Sequence, residues 1–178
     1  NKFNPAFKTA LNQYIYENYK YVKGITTIET TVDEIIQLKS GVCQAFAHLL
    51  LHILRSLGLP ARYASGYICP NRSGMRGEGA THAWVDVYIP NLGWIGIDPT
   101  NNCYANINHI QLAVGRDFTD CTPIKGVFKG SAKQDLLVYV SVGYEDGHIF
   151  EETNTVQMQK EQTIVAANII LEQHQQQQ

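Results

Sequence analysis

Cysteine is scarce in this chain: four residues in 178, at positions 43, 69, 103 and 121, with no CxxC pair. That spacing excludes the usual zinc frameworks and requires no disulfide scaffold, so free thiols and a cytoplasmic location are the expectation. No metal and no cofactor is expected. Charge is sparse too, at 17% of residues with a net of −2, and Lys and Arg are scattered. A nucleic-acid or membrane-surface partner needs a basic excess or stripe, so both are excluded as expectations. No stretch approaches the ~18 consecutive apolar residues of a membrane span, and the first ten residues carry no signal core.

The 44% of residues that are hydrophobic suffice for the core of one globular domain. The chain begins at Asn1 and ends Leu171-Glu172-Gln173-His174 followed by glutamines. Residues 171–178 are close to an appended histidine tag and are set apart, leaving residues 1–170 as a single domain. A further domain upstream of Asn1 is left open, and so is the oligomeric state.

Phe7, Leu11, Tyr14, Ile15 and Tyr19 recur at helical spacing and predict a first helix over 5–20. Threonine caps and acids at Thr30-Thr31-Val32-Asp33-Glu34 predict a short second one ending near Lys39. From Val42 the apolar residues Ala45, Phe46, Leu49, Leu50, Ile53, Leu54 and Leu57 form a helical stripe, stopped by Gly58-Leu59-Pro60. Cys43 lies inside that stripe, facing the rest of the domain. Beyond Pro60 the period becomes two: Arg62–Ile68, His82–Ile89, Gly93–Asp98 and Leu136–Gly143 read as strands, with Gln162–Leu171 a further candidate. The stretch from Pro99 to Lys133 reads mostly as loop, with a short helical turn near His109. Helices followed by strands give an α+β domain, its cysteine-bearing helix packed on an antiparallel sheet.

Cys43 opens the third helix. A helix N-terminus with a nearby imidazolium lowers a thiol's pKa from its usual ~8.5, so this is a reactive position. A thiolate nucleophile needs a base, and the base needs a partner that fixes its tautomer. His48 and His52 are nearest in sequence but lie roughly 7 and 13 Å along the helix and on other faces. As an i, i+4 pair they lack the intervening glutamate of a zinc protease, and they read as solvent-facing or flank-packed. His82 shares a strand face with Trp84, Asp86 and Tyr88. A hairpin turn centred on Pro90 places His82 directly opposite Asp98, and a slip of two positions keeps both on one face. Cys43, His82 and Asp98 are thus the candidate nucleophile, base and orienting acid. The Cys43 backbone N–H and Gln44 are candidate oxyanion donors. Tyr67 and Trp84 are candidate substrate contacts, although aromatics on a strand face, Trp94 included, more commonly pack in a core.

The runs Gly41-Val42-Cys43-Gln44, Leu57-Gly58-Leu59-Pro60-Ala61-Arg62-Tyr63, Thr81-His82-Ala83-Trp84-Val85, Gly93-Trp94-Ile95-Gly96-Ile97-Asp98-Pro99-Thr100 and His109-Ile110 with Val114-Gly115-Arg116-Asp117 resemble the bacterial transglutaminase-like superfamily. The resemblance covers about residues 25–142. It implies the fold shared by transglutaminases and papain-like cysteine proteases, with the same three residues as triad. Relatives often carry an acidic residue two places after the nucleophile, where this chain has Ala45. The implied activity is thiol-dependent acyl transfer on protein or peptide amides through a thioester, with hydrolysis preferred. Transfer to an amine is the alternative, and a non-catalytic binding module retaining the fold is another. The segment from Glu145 onward lies outside the resemblance.

Overall fold

The structure, a computed structural model, describes residues 5–27, 29–69, 75–76, 81–122, 126, 135–143 and 149–157. They fall into two compact units, Asn1–Gly126 and Val127–Gln178. The first contains α1 (Pro5–Asn18), β1 (Lys20–Tyr21), α2 (Val32–Leu38), β2 (Ser40–Gly41), α3 (Cys43–Ser56), β3 (Ala61–Ile68), β4 (Thr81–Ile89), β5 (Gly93–Asp98), β6 (Cys103–Tyr104), β7 (His109–Gly115) and a 3-10 turn at Phe118–Asp120. The second contains β8 (Asp135–Gly143) and β9 (Ile149–Gln157), an antiparallel pair in register from Asp135 opposite Gln157 to Gly143 opposite Ile149. The candidate strand at 162–171 lies outside the described residues. No helix among the described residues is long and apolar enough to cross a membrane.

The architecture of the first unit is α+β. Strands β6-β5-β4-β3-β7 form one antiparallel sheet, and α3 packs on one face of it. The contact follows from the two periodicities: Ala45, Phe46, Leu49, Leu50 and Leu54 line the helix stripe, and Ala83, Val85 and Val87 are the alternate residues of β4 that meet it. Ile15 and Tyr19 from the α1 segment and Ile35 from α2 close the same core. Leu57, expected in the stripe, is instead the C-cap residue and is exposed, because the chain leaves the helix there for Gly58 at φ 74°.

Two helix starts contrast. α2 has a full capping box: the Thr31 hydroxyl accepts from the Glu34 N–H, and the Glu34 carboxylate accepts from the Thr31 N–H at 2.7 Å. α3 is preceded by Val42, which has no side-chain oxygen, so the first-turn N–H groups beginning at Cys43 lack a side-chain cap.

Two expectations are corrected. The β4–β5 hairpin pairs Tyr88 with Trp94 and Val85 with Ile97, a register two positions away from the one that puts His82 opposite Asp98. The turn centres on Asn91, at φ 67°, and is followed by Gly93 at φ 83°. Asn and Gly tolerate these left-handed angles and proline does not, so the centre moves off Pro90. The segment at His109 is a strand, not a helical turn: β7 runs antiparallel to β3, with Ile68 opposite His109. The ladder shifts register between Ser65 and Gly66.

Gly66 permits that approach, since a Cβ there would collide with the Ile110 carbonyl oxygen and lie 2.9 Å from Trp84 Cη2. Gly66→Ala is therefore expected to destabilise the unit by about 3 kcal/mol through overpacking. A shift in the urea midpoint would measure it, and a midpoint within error of the parent would show that β7 yields freely.

Candidate active site

Asp98 ends β5 and is fully buried, as is the side chain of His82 at the start of β4. The two-position slip leaves them diagonal across the hairpin but on one face, still within side-chain reach. His82 Nε2 lies 2.8 Å from Asp98 Oδ2. Oδ2 also accepts from Asn101 Nδ2 at 2.7 Å and from His109 Nε2 at 3.2 Å. Oδ1 accepts the backbone N–H groups of Thr100 at 2.9 Å and Asn101 at 3.3 Å, the loop after β5 folding back on its own carboxylate. Five N–H donors thus converge on one buried charge.

The Asn101 amide has a second task. Its Oδ1 accepts the Arg76 N–H at 2.7 Å, and its Nδ2 donates to the Arg76 carbonyl at 3.1 Å. The short described stretch between β3 and β4 is thereby tied to the partner of Asp98.

Cys43, the first residue of α3, is buried, and its thiol donates to the Thr81 carbonyl at 3.8 Å. By strand alternation His82 lies on the opposite face of β4 from Ala83, which packs in the α3 core. Cys43 nevertheless stands at the very start of its helix, its thiol on the carbonyl of Thr81, the residue next to His82. With Nε2 committed to Asp98, the remaining ring nitrogen Nδ1 is buried and makes no regular hydrogen bond among the described residues. Cys43 is close enough to influence the ring. Burial alone pushes the His82 pKa down, but the hydrogen bond with Asp98 and the nearness of the Cys43 thiol, together with the charges of both, outweigh it and raise the value above the ordinary 6.5. Burial alone likewise pushes Asp98 up, yet the hydrogen bonds from His109, His82 and Asn101 and the charge of His82 hold it well below 3.8.

Trp84 is buried, its ring stacked 6.2 Å from His82 and edge-on to His109 at 5.3 Å, so it floors the two imidazoles. Gln44 is half-buried with no side-chain hydrogen bond among the described residues. Tyr67 is half-buried on β3, opposite Thr81. His48 is occupied elsewhere: its Nε2 accepts the Phe118 N–H at 3.2 Å, its ring lies 5.1 Å from Tyr63, and burial lowers its pKa. His52 is exposed. His82, Asp98 and His109 present three metal-ligating atoms within 4.8 Å of one another, but those atoms already satisfy each other through the hydrogen bonds described above.

Sequence reasoning assigned no role to His109, Asn101 or Tyr21. Tyr21, on β1, pairs with Gly41 two residues before the thiol, and its ring packs edge-on to Phe46 at 6.4 Å. Burial, then the charges of Cys43 and Asp98, push its pKa up to about 12, so the hydroxyl stays a donor at neutral pH. It makes no hydrogen bond among the described residues. For His109, the alternation of Ile110, Leu112 and Val114 was an available strand signal.

Linkage makes the His82–Asp98 pair visible in stability. The contribution of Asp98 is complete above pH 3.8 and is lost as pH falls towards its lowered folded pKa. That of His82 is complete below pH 6.5 and is lost progressively as pH rises towards its raised folded pKa. The parent should exceed Asp98→Asn by about 3 kcal/mol in the interval between, with the margin narrowing on both sides. Urea titrations across pH test this, and a margin that does not narrow above pH 6.5 contradicts it.

Against known proteins, the model of the transglutaminase-like superfamily matches residues 5–99, ending one residue past Asp98. An uncharacterized Mycobacterium leprae protein is 41% identical over 125 residues, 68% of this chain and 44% of that protein. A Pseudomonas aeruginosa protein-glutamine gamma-glutamyltransferase is 32% identical over 97 residues, 51% of this chain and 14% of that enzyme. Among solved structures, a candidate cysteine protease from Cytophaga hutchinsonii superposes with a TM-score of 0.61 at 25% identity, over 89% of this chain and 48% of that one. The chain spans less than half the length of each.

Proposed function

The chain belongs to the transglutaminase-like superfamily, and from that premise we propose that it breaks amide bonds in peptides or proteins through a covalent thioester on Cys43. The observation that carries this reading is the buried 2.8 Å contact between His82 Nε2 and Asp98 Oδ2, which leaves Nδ1 for the thiol side. A histidine whose pKa is raised stays protonated at neutral pH, and an imidazolium beside a thiol favours the thiolate.

The Cys43 sulfur attacks the amide carbonyl carbon, forming the S–C bond while the carbonyl π electrons move to oxygen. Collapse expels the amine, which takes the proton from His82 Nδ1, and the acyl group remains as a thioester. His82, now neutral, removes a proton from the incoming acceptor. The acceptor oxygen or nitrogen bonds to the acyl carbon, and the thiolate leaves beside a reprotonated imidazolium. Asp98 keeps the ring in one orientation and offsets its charge throughout.

The oxyanion is best served by two donors. One is the Cys43 N–H, on a helix whose start has no side-chain cap. The other is the Tyr21 hydroxyl, which has a ladder partner two residues from the thiol and no competing hydrogen bond among the described residues. Gln44 has no contact directing it there.

Water is the preferred acceptor, since the likeness to the candidate cysteine protease extends over 89% of the chain. Amine transfer is favoured by the similarity to the Pseudomonas gamma-glutamyltransferase, over 51% of the chain. A peptide screen with and without added primary amine separates the two: free acid indicates hydrolysis, and incorporated amine indicates transfer.

The common step is tested by iodoacetamide labelling with mass-spectrometric mapping. Cys43 should react selectively below pH 7 and lose that preference in His82→Ala. The other thiols are suitable controls, since burial and the Asp98 charge push Cys103 up to about 11 and burial pushes Cys121 up. Equal reactivity at Cys43, Cys69, Cys103 and Cys121 would sink the proposal. On an identified substrate, Tyr21→Phe should lower kcat by about 10²-fold with KM little changed, the loss of one oxyanion donor. An unchanged kcat would remove Tyr21 from the site.

A further inference from the structure

We propose that His109 moderates the working histidine of this site: it donates to the same carboxylate oxygen as His82 and so weakens the hold of Asp98 on the His82 proton. The inference rests on the reading of Cys43, His82 and Asp98 as the reacting groups, and it assigns His109 a positioning role through Asp98.

A carboxylate oxygen offers about two lone-pair directions. Asp98 Oδ2 receives three N–H donors, at 2.7 Å from Asn101, 2.8 Å from His82 and 3.2 Å from His109. Three donors sharing two sites each bind less strongly than two would.

The Asn106 backbone N–H donates to His109 Nδ1 at 3.2 Å, which places the hydrogen of the neutral ring on Nε2. Asn106 Oδ1, which accepts the Asn108 N–H at 2.8 Å, lies farther from the same nitrogen, at 3.4 Å. His109 therefore points a fixed donor at Asp98. Its side chain is 1% exposed, held edge-on to Trp84, and cannot readily turn away.

Cys43 from α3, Tyr21 from β1 and Cys103 from β6 are the other titratable groups near the pair, and Arg76 approaches through its backbone. Of these four, none donates to Oδ2. The His109 hydrogen bond also helps, with those of His82 and Asn101, to keep Asp98 charged.

The chemical consequence concerns the acid step. An imidazolium bound too firmly by its carboxylate is a poor proton donor to a departing amine. By occupying part of Oδ2, His109 lets Asp98 orient His82 without retaining its proton.

The test uses iodoacetate alkylation of Cys43 as a function of pH. This reagent is an anion, so it reacts best when thiolate and imidazolium coexist, and the alkaline limb of the profile follows deprotonation of His82. His109→Phe keeps a ring against Trp84 and removes the donor. Its alkaline limb should move up by about half a pH unit, roughly a threefold change in acid constant. His109→Gln, which returns an amide N–H near the place of Nε2, should restore the parent limb. A limb that stays or moves down in folded His109→Phe overturns the proposal, as does failure of His109→Gln to restore it. If His109→Phe does not fold, ¹⁵N NMR of the parent decides: an Nε2–H tautomer at His109 supports the proposal, and an Nδ1–H tautomer overturns it. A limb that persists in His82→Ala would instead remove the underlying assignment of His82.

Discussion

A charged carboxylate taken wholly out of water is the constraint around which this fold is organised. Burying such a group costs several kcal/mol unless its oxygens are filled. Asp98 is filled from separate parts of the chain: His82 from β4, Thr100 and Asn101 from the following loop, and His109 from β7. Asn101 extends the network to Arg76. The requirement is collective. Each segment is fixed partly because the others leave it one place to donate.

How much of this the sequence discloses depends on the range of the interaction. The helix bearing Cys43 was legible because its apolar stripe and its stop at Gly58-Leu59-Pro60 are local. The shared face of His82 and Asp98 was legible because strand parity survives a two-position slip, although the register itself did not survive the conformational freedom of Asn91 and Gly93. His109 reaches Asp98 only because β7 returns to β3 more than forty residues downstream, across a register shift that no periodicity predicts. Its outward residues Leu112 and Val114 are apolar and exposed, which blurs the usual distinction between inner and outer faces. Tyr21 sits on a two-residue strand, too short for any pattern.

The shared core and the differing relatives are compatible. A thioester route needs the same groups whichever acceptor follows, so likeness to both a candidate cysteine protease and a gamma-glutamyltransferase is consistent with the one proposed chemistry. The distinction belongs to whatever surrounds the acyl group after the first product has left. Trp84 is buried against both imidazoles, stacked on His82 and edge-on to His109.

The start of α3 bears on any attempt to make the protein hardier. Serine, threonine, asparagine or aspartate at position 42 would supply the cap that valine lacks, worth about 1 kcal/mol at an ordinary helix. A thermostability screen would thus be drawn to this position. The oxygen it introduced would face the amides beside Cys43 and place negative potential where the proposed reaction would need positive. Val42 leaves the first turn of α3 without a side-chain cap, and under the proposed mechanism that turn is where the substrate oxygen would be received.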